Sequence, residues 1–293
     1  MQMIKSLAIV LTLLMGARYA FASGEKVIYG DDNRVDVFES TNPMFVELSR
    51  STAAMIDHSQ LNLIRSENKY KIKGDSLQNS FGVCANEPYA TQIATAMCSG
   101  FLVGPDLLVT AGHCIRSQND CDENAWVFDY KIDPTAPEAI NMKVPATSVY
   151  SCSEIIERKL DNRTQDDFAL IRLDRAVTDR SPLTYRKDDR LADNAPLVVI
   201  GHPSGLPTKI ADGANVRNNS NNYYFVANLD TYGGNSGSAV FDADNGTVEG
   251  ILVRGENDFV SRNGCRVSNV CPNTGCRGED VTRITNIQFL KNL

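Results

Sequence analysis

The chain has 293 residues, of which 42% are hydrophobic and 22% charged, so it contains enough apolar material for a large buried core. Its formal net charge is −7, and this acidic balance argues against a nucleic acid or an anionic membrane surface as a partner.

Residues 1–22 have the pattern of a secretory signal peptide. Lys5 supplies the positive start, Leu7 to Met15 form the apolar run, and Ala20-Phe21-Ala22 is a small-x-small cleavage site. The run is too short to span a bilayer. Cleavage would remove two basic residues and no acid, which makes the mature chain still more acidic. We expect a secreted or periplasmic monomer that binds neither membranes nor nucleic acids.

Short strands dominate the rest of the sequence. First, however, the stretch FVELSRSTAAMI (45–56) has apolar residues on one approximate face and predicts a helix, and a polar segment follows over 65–80. Further on, apolar runs such as DLLVTAG, FALIRL and PLVVIGHP are bounded by Gly, Pro, Asn or Asp, which is typical of an all-β sandwich or barrel. The tail TRITNIQFLKNL predicts a C-terminal helix.

Three short strings carry the chemistry: TAGHC (110–114), DDFAL (166–170) and GNSGS (234–238). They supply His113, Asp167 and Ser236, the residue types that acyl transfer to a serine requires. A serine hydroxyl becomes nucleophilic when a neutral imidazole takes its proton, and a buried carboxylate fixes the imidazole tautomer. The order and context of the strings resemble the chymotrypsin-like (trypsin-fold) serine endopeptidases, over about residues 96–255.

The resemblance implies an all-β fold of two six-stranded antiparallel β-barrels, with the active site in the cleft between them and a helix at the C-terminus. It also implies an endopeptidase that hydrolyses polypeptide substrates through an acyl-enzyme, with no metal and no organic cofactor. Among secreted bacterial members, the opening VIYGDDNR (27–34) and Asn235 before the nucleophile make the chain similar to the staphylococcal glutamyl endopeptidases.

Within the resemblance, each candidate has a role. The family aspartate directly precedes a hydrophobic-Ala-Leu run, which selects Asp167 and leaves Asp166 as an expected solvated neighbour. Backbone N–H groups of Gly234 and Ser236 would form the oxyanion hole. Of the two other histidines, we expect His58 at the surface and His202 in a structural turn.

Specificity depends on fewer residues. Asp230, six residues before Ser236, lies where trypsin-like members carry the carboxylate that binds Arg or Lys of the substrate. Thr231 matches the glutamyl enzymes, but Leu252 stands where their pocket histidine would be. We therefore expect cleavage after Arg or Lys, with glutamyl or another specificity as the alternative. Further substrate-binding candidates are Val253, Arg254 and Gly255, and Arg254 could pair with Asp230 or help to bind an acidic residue.

The N-terminal segment leaves a choice open. Lys26-Val27 resembles a processing junction of a zymogen, which suggests a short propeptide over 23–26. Residues 27–80 are then either an insertion around the body or a longer propeptide, and 81–293 form the peptidase domain. Asn235 cannot form the family's activation ion pair with a new N-terminal amino group, so an activation switch would have to differ.

Eight cysteines in an exported chain favour disulfides over metal sites. By resemblance, Cys98 bonds Cys114 and pins the histidine loop. A bond between Cys121 and Cys152 is a further expectation, and the pairing of Cys84, Cys265, Cys271 and Cys276 stays open.

Two functions are alternatives to an endopeptidase. One is a catalytically silent family member that acts as a binding protein. The other is an α/β-type esterase, whose G-x-S-x-G motif and Ser-Asp-His order are absent from the sequence.

Overall fold

The computed structural model describes residues 27–136 and 140–293, so the predicted signal peptide and the residues 23–26 lie outside the described residues. Strands make up most of the described fold. They are β1 (Ile28–Tyr29), β2 (Arg34–Asp36), β3 (Thr52–Asp57), β4 (Leu61–Ile64), β5 (Lys69–Ile72), β6 (Asp75–Ser76), β7 (Ile93–Ala94), β8 (Cys98–Leu102), β9 (Leu107–Thr110), β10 (Asn124–Val127), β11 (Lys143–Pro145), β12 (Val149–Leu160), β13 (Asp167–Leu173), β14 (Pro196–Gly201), β15 (Lys209–Asn218), β16 (Tyr224–Ala227), β17 (Ala239–Asp242), β18 (Val248–Arg254), β19 (Phe259–Arg262), β20 (Cys265–Ser268), β21 (Val270–Cys271) and β22 (Glu279–Arg283).

Helical structure in the described ranges is short. The α-helices are α1 (Pro43–Ser49), α2 (Leu77–Phe81) and α3 (Gln118–Glu123). The 3-10 turns are Val37–Glu39, His58–Gln60, Ala146–Ser148, Pro203–Gly205, Ile284–Asn286 and Phe289–Asn292. Within this part of the chain, no helix is long and apolar enough to cross a membrane.

Two antiparallel barrels form the body, as predicted. The first is a closed barrel with the strand order β10-β12-β13-β9-β8-β3. The second has the order β14-β17-β18-β22-β16-β15, is closed by pairing of β14 with β15, and carries β2 on its β15 edge. One continuous apolar cluster joins the two, since it contains Trp126 and Phe101 of the first barrel and Phe241 and Ile251 of the second. This shared core fixes the barrels against each other.

The helix predicted over 45–56 is only half right. Helix α1 begins after Asn42, whose side chain accepts the Met44 N–H at 3.0 Å, and it ends at Ser49. Residues 52–57 instead form β3, which pairs with β8 on one side and β10 on the other. Residues Thr52 to Ile56 are all buried. Burial on both faces suits a barrel strand and overrides the approximate helical spacing.

Strand β3 also bears on the predicted domain boundary. It lies inside the segment 27–80, which was expected to be an insertion or a propeptide, and it is one of the six strands that close the first barrel. Strand β2 in the same segment extends the second barrel. A boundary at residue 81 would therefore separate β3 from the other five strands of its barrel.

The helix predicted at the C-terminus is present only as two short 3-10 helices. Thr282 and Arg283 end β22, and the tail continues as two 3-10 turns. The buried residues of this tail are Ile284, Ile287 and Leu290, which recur every third position. Ile284 and Leu290 lie in the two 3-10 turns, and Ile287 lies in the extended link between them, so these buried side chains anchor a tail that is not one continuous helix.

All eight cysteines are paired. The expected bonds Cys98–Cys114 and Cys121–Cys152 are present, and the open set resolves into Cys84–Cys265 and Cys271–Cys276. Disulfides of this number are typical of proteins that fold in an oxidising compartment.

The N-terminal segment is anchored to the second barrel by buried charges. Asp230 accepts the Tyr29 N–H at 2.7 Å and the Asn33 N–H at 2.9 Å. Lys209 donates to Asp36 at 2.5 Å, and the lysine side chain is almost completely buried. Burial lowers the pKa of Lys209 to about 8 and raises that of Asp230 to about 6. Both charged groups thus lose solvation, which their specific partners in this segment offset.

We predict that β3 is indispensable to stability. Ile56 is fully buried in the first barrel, so Ile56→Ala should lower the free energy of unfolding by about 2–5 kcal/mol through the cavity it leaves. Leu63 on β4 is 37% exposed, and Leu63→Ala is the control, with a change within about 0.5 kcal/mol. Urea denaturation measures both, and equal midpoints for the two variants would contradict the assignment of β3.

A second prediction concerns pH. Because the folded-state pKa of Asp230 is raised from 3.8 to about 6, its contribution to stability is fully present below about pH 4 and is lost as the pH rises through 6. Asp230→Asn does not titrate. The stability of the wild type relative to this variant should therefore fall by on the order of 3 kcal/mol between pH 4 and pH 7. If the free energies of unfolding of the wild type and of Asp230→Asn changed in parallel over that pH range, the raised pKa of Asp230 would be refuted.

Candidate active site

His113 and Asp167 meet at the end of the first barrel. His113 lies in the turn after β9, and Asp167 is the first residue of β13. The His113 Nδ1 lies 2.7 Å from Asp167 Oδ2, and the His113 backbone N–H donates to Asp167 Oδ1 at 3.0 Å. Both carboxylate oxygens therefore serve one histidine. Since an ionised carboxylate only accepts, Nδ1 carries the proton and Nε2 is left as the basic nitrogen.

Burial differs between these two partners. The side chain of Asp167 is 5% exposed, whereas that of His113 is 22% exposed. The carboxylate is thus shielded from water while the imidazole reaches the surface of the cleft. This arrangement can hold a neutral imidazole in one tautomer and stabilise it when it becomes charged.

Asp166 lies in a different environment from the one expected. It is 6% exposed rather than solvated, and its Oδ1 accepts the Asn286 Nδ2 amide at 2.8 Å. Burial raises the pKa of Asp166. The two neighbouring aspartates point to different partners, and only Asp167 is hydrogen-bonded to His113 in the described structure.

Ser236 lies in a tight loop between β16 and β17. Asn235 N donates to Tyr232 O at 3.0 Å and Ser238 N to Asn235 O at 2.9 Å, which folds the loop on itself. Gly234 has a φ of +88°, and a Cβ there would lie 2.7 Å from both Gly205 N and His202 O. Only glycine fits this position without strain.

The loop is fixed to the first barrel by Ser99 of β8. The Ser99 N–H donates to Ser236 O at 2.8 Å, and its hydroxyl donates to Gly234 O at 3.1 Å. The Cys114 Sγ lies 3.7 Å from Ser236 O. Because Cys114 follows His113 directly, these contacts place the Ser236 backbone beside the residue that follows His113. Sequence reasoning missed Ser99, and no motif marks it.

One of the two expected oxyanion donors is the backbone N–H of Gly234. Within residues 27–136 and 140–293, the Gly234 N–H donates to no other group, so it is available to an external oxygen. Asn235 is buried, and its Oδ1 accepts the Ser238 hydroxyl at 3.2 Å. Its side chain therefore supports the loop from inside.

The other histidines behave as predicted. His58 is exposed. His202 is fully buried, its Nδ1 donates to Leu206 O at 3.1 Å, and its backbone N–H donates to the Ser99 hydroxyl at 3.0 Å. Burial lowers the pKa of His202 to about 3, so it stays neutral and supports the turn beneath Gly234.

The expected pocket residues lie on β18 and on the approach to the Ser236 loop. Thr231 is buried, and its hydroxyl donates to Glu279 Oε2 at 3.2 Å. Val253 is buried, and Gly255 leaves no room for a Cβ because the Glu279 carboxylate packs directly against it. Glu279 is a second buried acid beside Asp230, and sequence reasoning missed it because it lies outside every motif.

Arg254 does not pair with Asp230. Its Nε donates to Asp280 Oδ2 at 2.8 Å, and its Nη2 donates to Gln165 O at 2.7 Å. The interpretation in which Arg254 fills the pocket by binding Asp230 is therefore wrong. Its charge is compensated by a buried carboxylate on the adjacent strand β22.

One group of metal-type ligands lies at the site. The ligand atoms of Cys98, His113 and Cys114 are within 4.8 Å of one another. Both sulfurs are bonded in a disulfide, so neither is a thiolate able to bind a metal.

The chain matches known proteins by family and by fold. The model of the trypsin-like peptidase domain matches residues 98–251, slightly more than half of the chain. A Glu endopeptidase, solved in complex with MPD, superposes with a TM-score of 0.53 at 18% identity over 91% of this chain and 100% of its own. The VesB protease of Vibrio cholerae superposes with a TM-score of 0.51 at 14% identity over 90% of this chain and 66% of its own.

No curated protein matches the chain by sequence. The two solved structures are similar to it at the level of the fold. The matched region includes the strings around His113, Asp167 and Ser236. This chain belongs to the family of trypsin-like peptidase domains.

Proposed function

We propose that the protein is a secreted serine endopeptidase that uses Ser236, His113 and Asp167. The observation that carries this proposal is the double hydrogen bond from His113 to the buried Asp167, at 2.7 and 3.0 Å. It leaves the His113 Nε2 as the basic nitrogen that would take the proton of Ser236. A peptidase family match supports the same activity.

The chemistry follows from these groups. His113 Nε2 takes the proton of Ser236 as its oxygen attacks the peptide carbonyl, and the charge develops on that carbonyl oxygen. The N–H groups of Gly234 and Ser236 stabilise it, which is worth a few kcal/mol of barrier. The imidazolium then protonates the leaving amine, and a water molecule, activated by the same base, hydrolyses the acyl-enzyme.

Export is part of the proposal. Residues 1–22 have the signal pattern, and the four disulfides are of the kind that forms outside the cytoplasm. We further propose that processing after Lys26 removes a short propeptide. Val27 is fully buried and its carbonyl accepts the Thr231 N–H at 3.2 Å, so the segment that starts there is an integral part of the body.

For specificity, we propose cleavage after Arg or Lys. Asp230 and Glu279 are both buried and flank Thr231 on the approach to the Ser236 loop. A glutamate side chain of the substrate would meet two like charges there, while a basic one would be attracted. The glutamyl alternative therefore has less support. Asp230 is directed to the N-terminal segment, where it accepts the N–H groups of residues 29 and 33 at 2.7 and 2.9 Å. Glu279 instead contacts Thr231 and packs against Gly255, two of the candidate pocket residues, and is therefore the better placed acid.

The activity is tested with a fluorophosphonate probe. The mature protein should be labelled at Ser236 at neutral pH, and Ser236→Ala should abolish labelling because no other residue carries the activated oxygen. Asp167→Asn should slow labelling by about 10⁴-fold, since an amide cannot hold the productive tautomer. Wild-type protein that is folded yet unlabelled would instead support the silent binding protein.

Specificity is tested with fluorogenic peptides that vary the residue before the cut. Wild type should prefer Arg and Lys over Leu and Glu. Glu279→Gln should lower kcat/KM for Arg and Lys by about 10- to 100-fold relative to Leu, as expected for loss of a charged hydrogen bond. Asp230→Asn should have a smaller effect.

The exposed Asp193 provides the control, since Asp193→Asn removes a charge away from the pocket and should leave the preference unchanged. If neither the Glu279 nor the Asp230 variant altered the preference for basic residues, the acidic pocket would be ruled out.

A further inference from the structure

A single arginine connects the two barrels next to Asp167. Arg254 is the last residue of β18 in the second barrel. Its Nη2 donates to the carbonyl oxygen of Gln165 at 2.7 Å, and Gln165 lies in the loop between β12 and β13 of the first barrel. This carbonyl is two residues before Asp167. The contact therefore holds the backbone just before Asp167, the residue that binds His113.

The loop before Asp167 is already tightly folded. The Asp161 carboxylate accepts the Arg163 N–H at 2.8 Å and the Thr164 N–H at 3.2 Å, and Gln165 N donates to Asp161 O at 2.8 Å. Gln165 adopts a φ of +63°, which a residue with a Cβ rarely adopts. Two contacts from outside hold this loop: the Asn286 amide donates to Asp166 Oδ1 at 2.8 Å, and Arg254 donates to the carbonyl of Gln165 itself.

The Arg254 guanidinium is also bound by a buried carboxylate of the second barrel. Its Nε donates at 2.8 Å to Asp280 Oδ2, and the Asp280 side chain is 1% exposed. The planar fork of an arginine fixes both donors at once, so the position of Gln165 O is tied to β22 of the second barrel. Arg277 binds the same Asp280 oxygen, but its side chain is 47% exposed and it makes no contact with the loop over 161–166 in the described structure.

We propose that Arg254 is a positioning residue that orients Asp167 through the Gln165 carbonyl, in place of the substrate-binding role that the sequence suggested. This inference rests on the proposed function. Its charge is matched by Asp280 and its second N–H group by Gln165, so the side chain serves the inter-barrel contact. Loss of the contact would let Asp167 shift relative to His113, and a shift of about 1 Å in a catalytic group is enough for about a 100-fold loss of rate.

The test compares two arginines on one carboxylate. Arg254→Met removes the contact to Gln165, and Arg277→Met is the matched control. Each variant leaves Asp280 with one arginine, so neither creates an unpaired buried charge. The first readout is the rate of labelling by a small fluorophosphonate, which does not occupy the extended peptide subsites. The second is kcat and KM with one peptide substrate.

We expect Arg254→Met to lower both the labelling rate and kcat by about 10- to 100-fold, with KM within about 3-fold of wild type. Arg277→Met should stay within about 3-fold on every measure. Arg254→Lys retains the charge beside Asp280 without the fork and should fall between wild type and Arg254→Met. If Arg254→Met does not fold, Arg254→Lys is compared with Arg277→Lys in the same way.

Two results would overturn the inference. If Arg254→Met left the labelling rate unchanged and raised KM for peptides, Arg254 would be a substrate-binding residue. If the Arg254 and Arg277 variants lost equal activity, the effect of Arg254 would be due only to its ion pair with Asp280. Either result requires labelled wild-type protein. Absence of labelling in the wild type would instead refute the proposed function itself.

Discussion

The site depends on the way in which Ser99 holds the Ser236 loop against the first barrel. Its backbone N–H and its hydroxyl bind the carbonyls of Ser236 and Gly234, and its own carbonyl accepts the Thr110 hydroxyl at 2.7 Å. His113 and Asp167 belong to one barrel and Ser236 to the other. The distance and orientation of Ser236 relative to the other two residues therefore depend on the contacts between the barrels. A serine suits this position because it offers two donors and two acceptors within a few ångströms, and its hydroxyl also accepts the His202 N–H.

Burial is what gives the chemically identical groups of this protein different roles. His202 is sealed in the interior and stays neutral at any physiological pH, whereas His113 is part-exposed and has a carboxylate partner. The same holds for the acids. Asp166 is paired with an amide, Asp167 with an imidazole, and Asp280 with two arginines. In each case the partner decides what the group does, and every one of these partners except Arg277 comes from a distant segment.

Local sequence patterns pointed to the candidate site residues, but they did not predict the contacts between distant segments that hold these residues. The strings around His113, Asp167 and Ser236 could be found because each motif is contiguous, and the architecture followed from strand patterns and resemblance. The contacts of Ser99 with Gly234, 135 residues away, and of Arg254 with Gln165, 89 residues away, leave no mark in a single sequence. The helix expected over 45–56 failed for a related reason, since the two neighbours of β3 outweigh local spacing.

The N-terminal segment has a consequence for how such a protein can be regulated. In this chain Asn235 is hydrogen-bonded to Ser238 and carries no charge, so it cannot respond to a new amino terminus by forming an ion pair. The segment from Val27 to Asp36 is nonetheless bound through its backbone to Asp230 and Thr231 and through Asp36 to Lys209. These residues precede the Ser236 loop or lie on the barrel that carries it. Order in the segment is therefore coupled to order in the loop. The coupling uses backbone N–H and carbonyl groups of the segment and the Asp36–Lys209 ion pair, and none of these requires a free amino group.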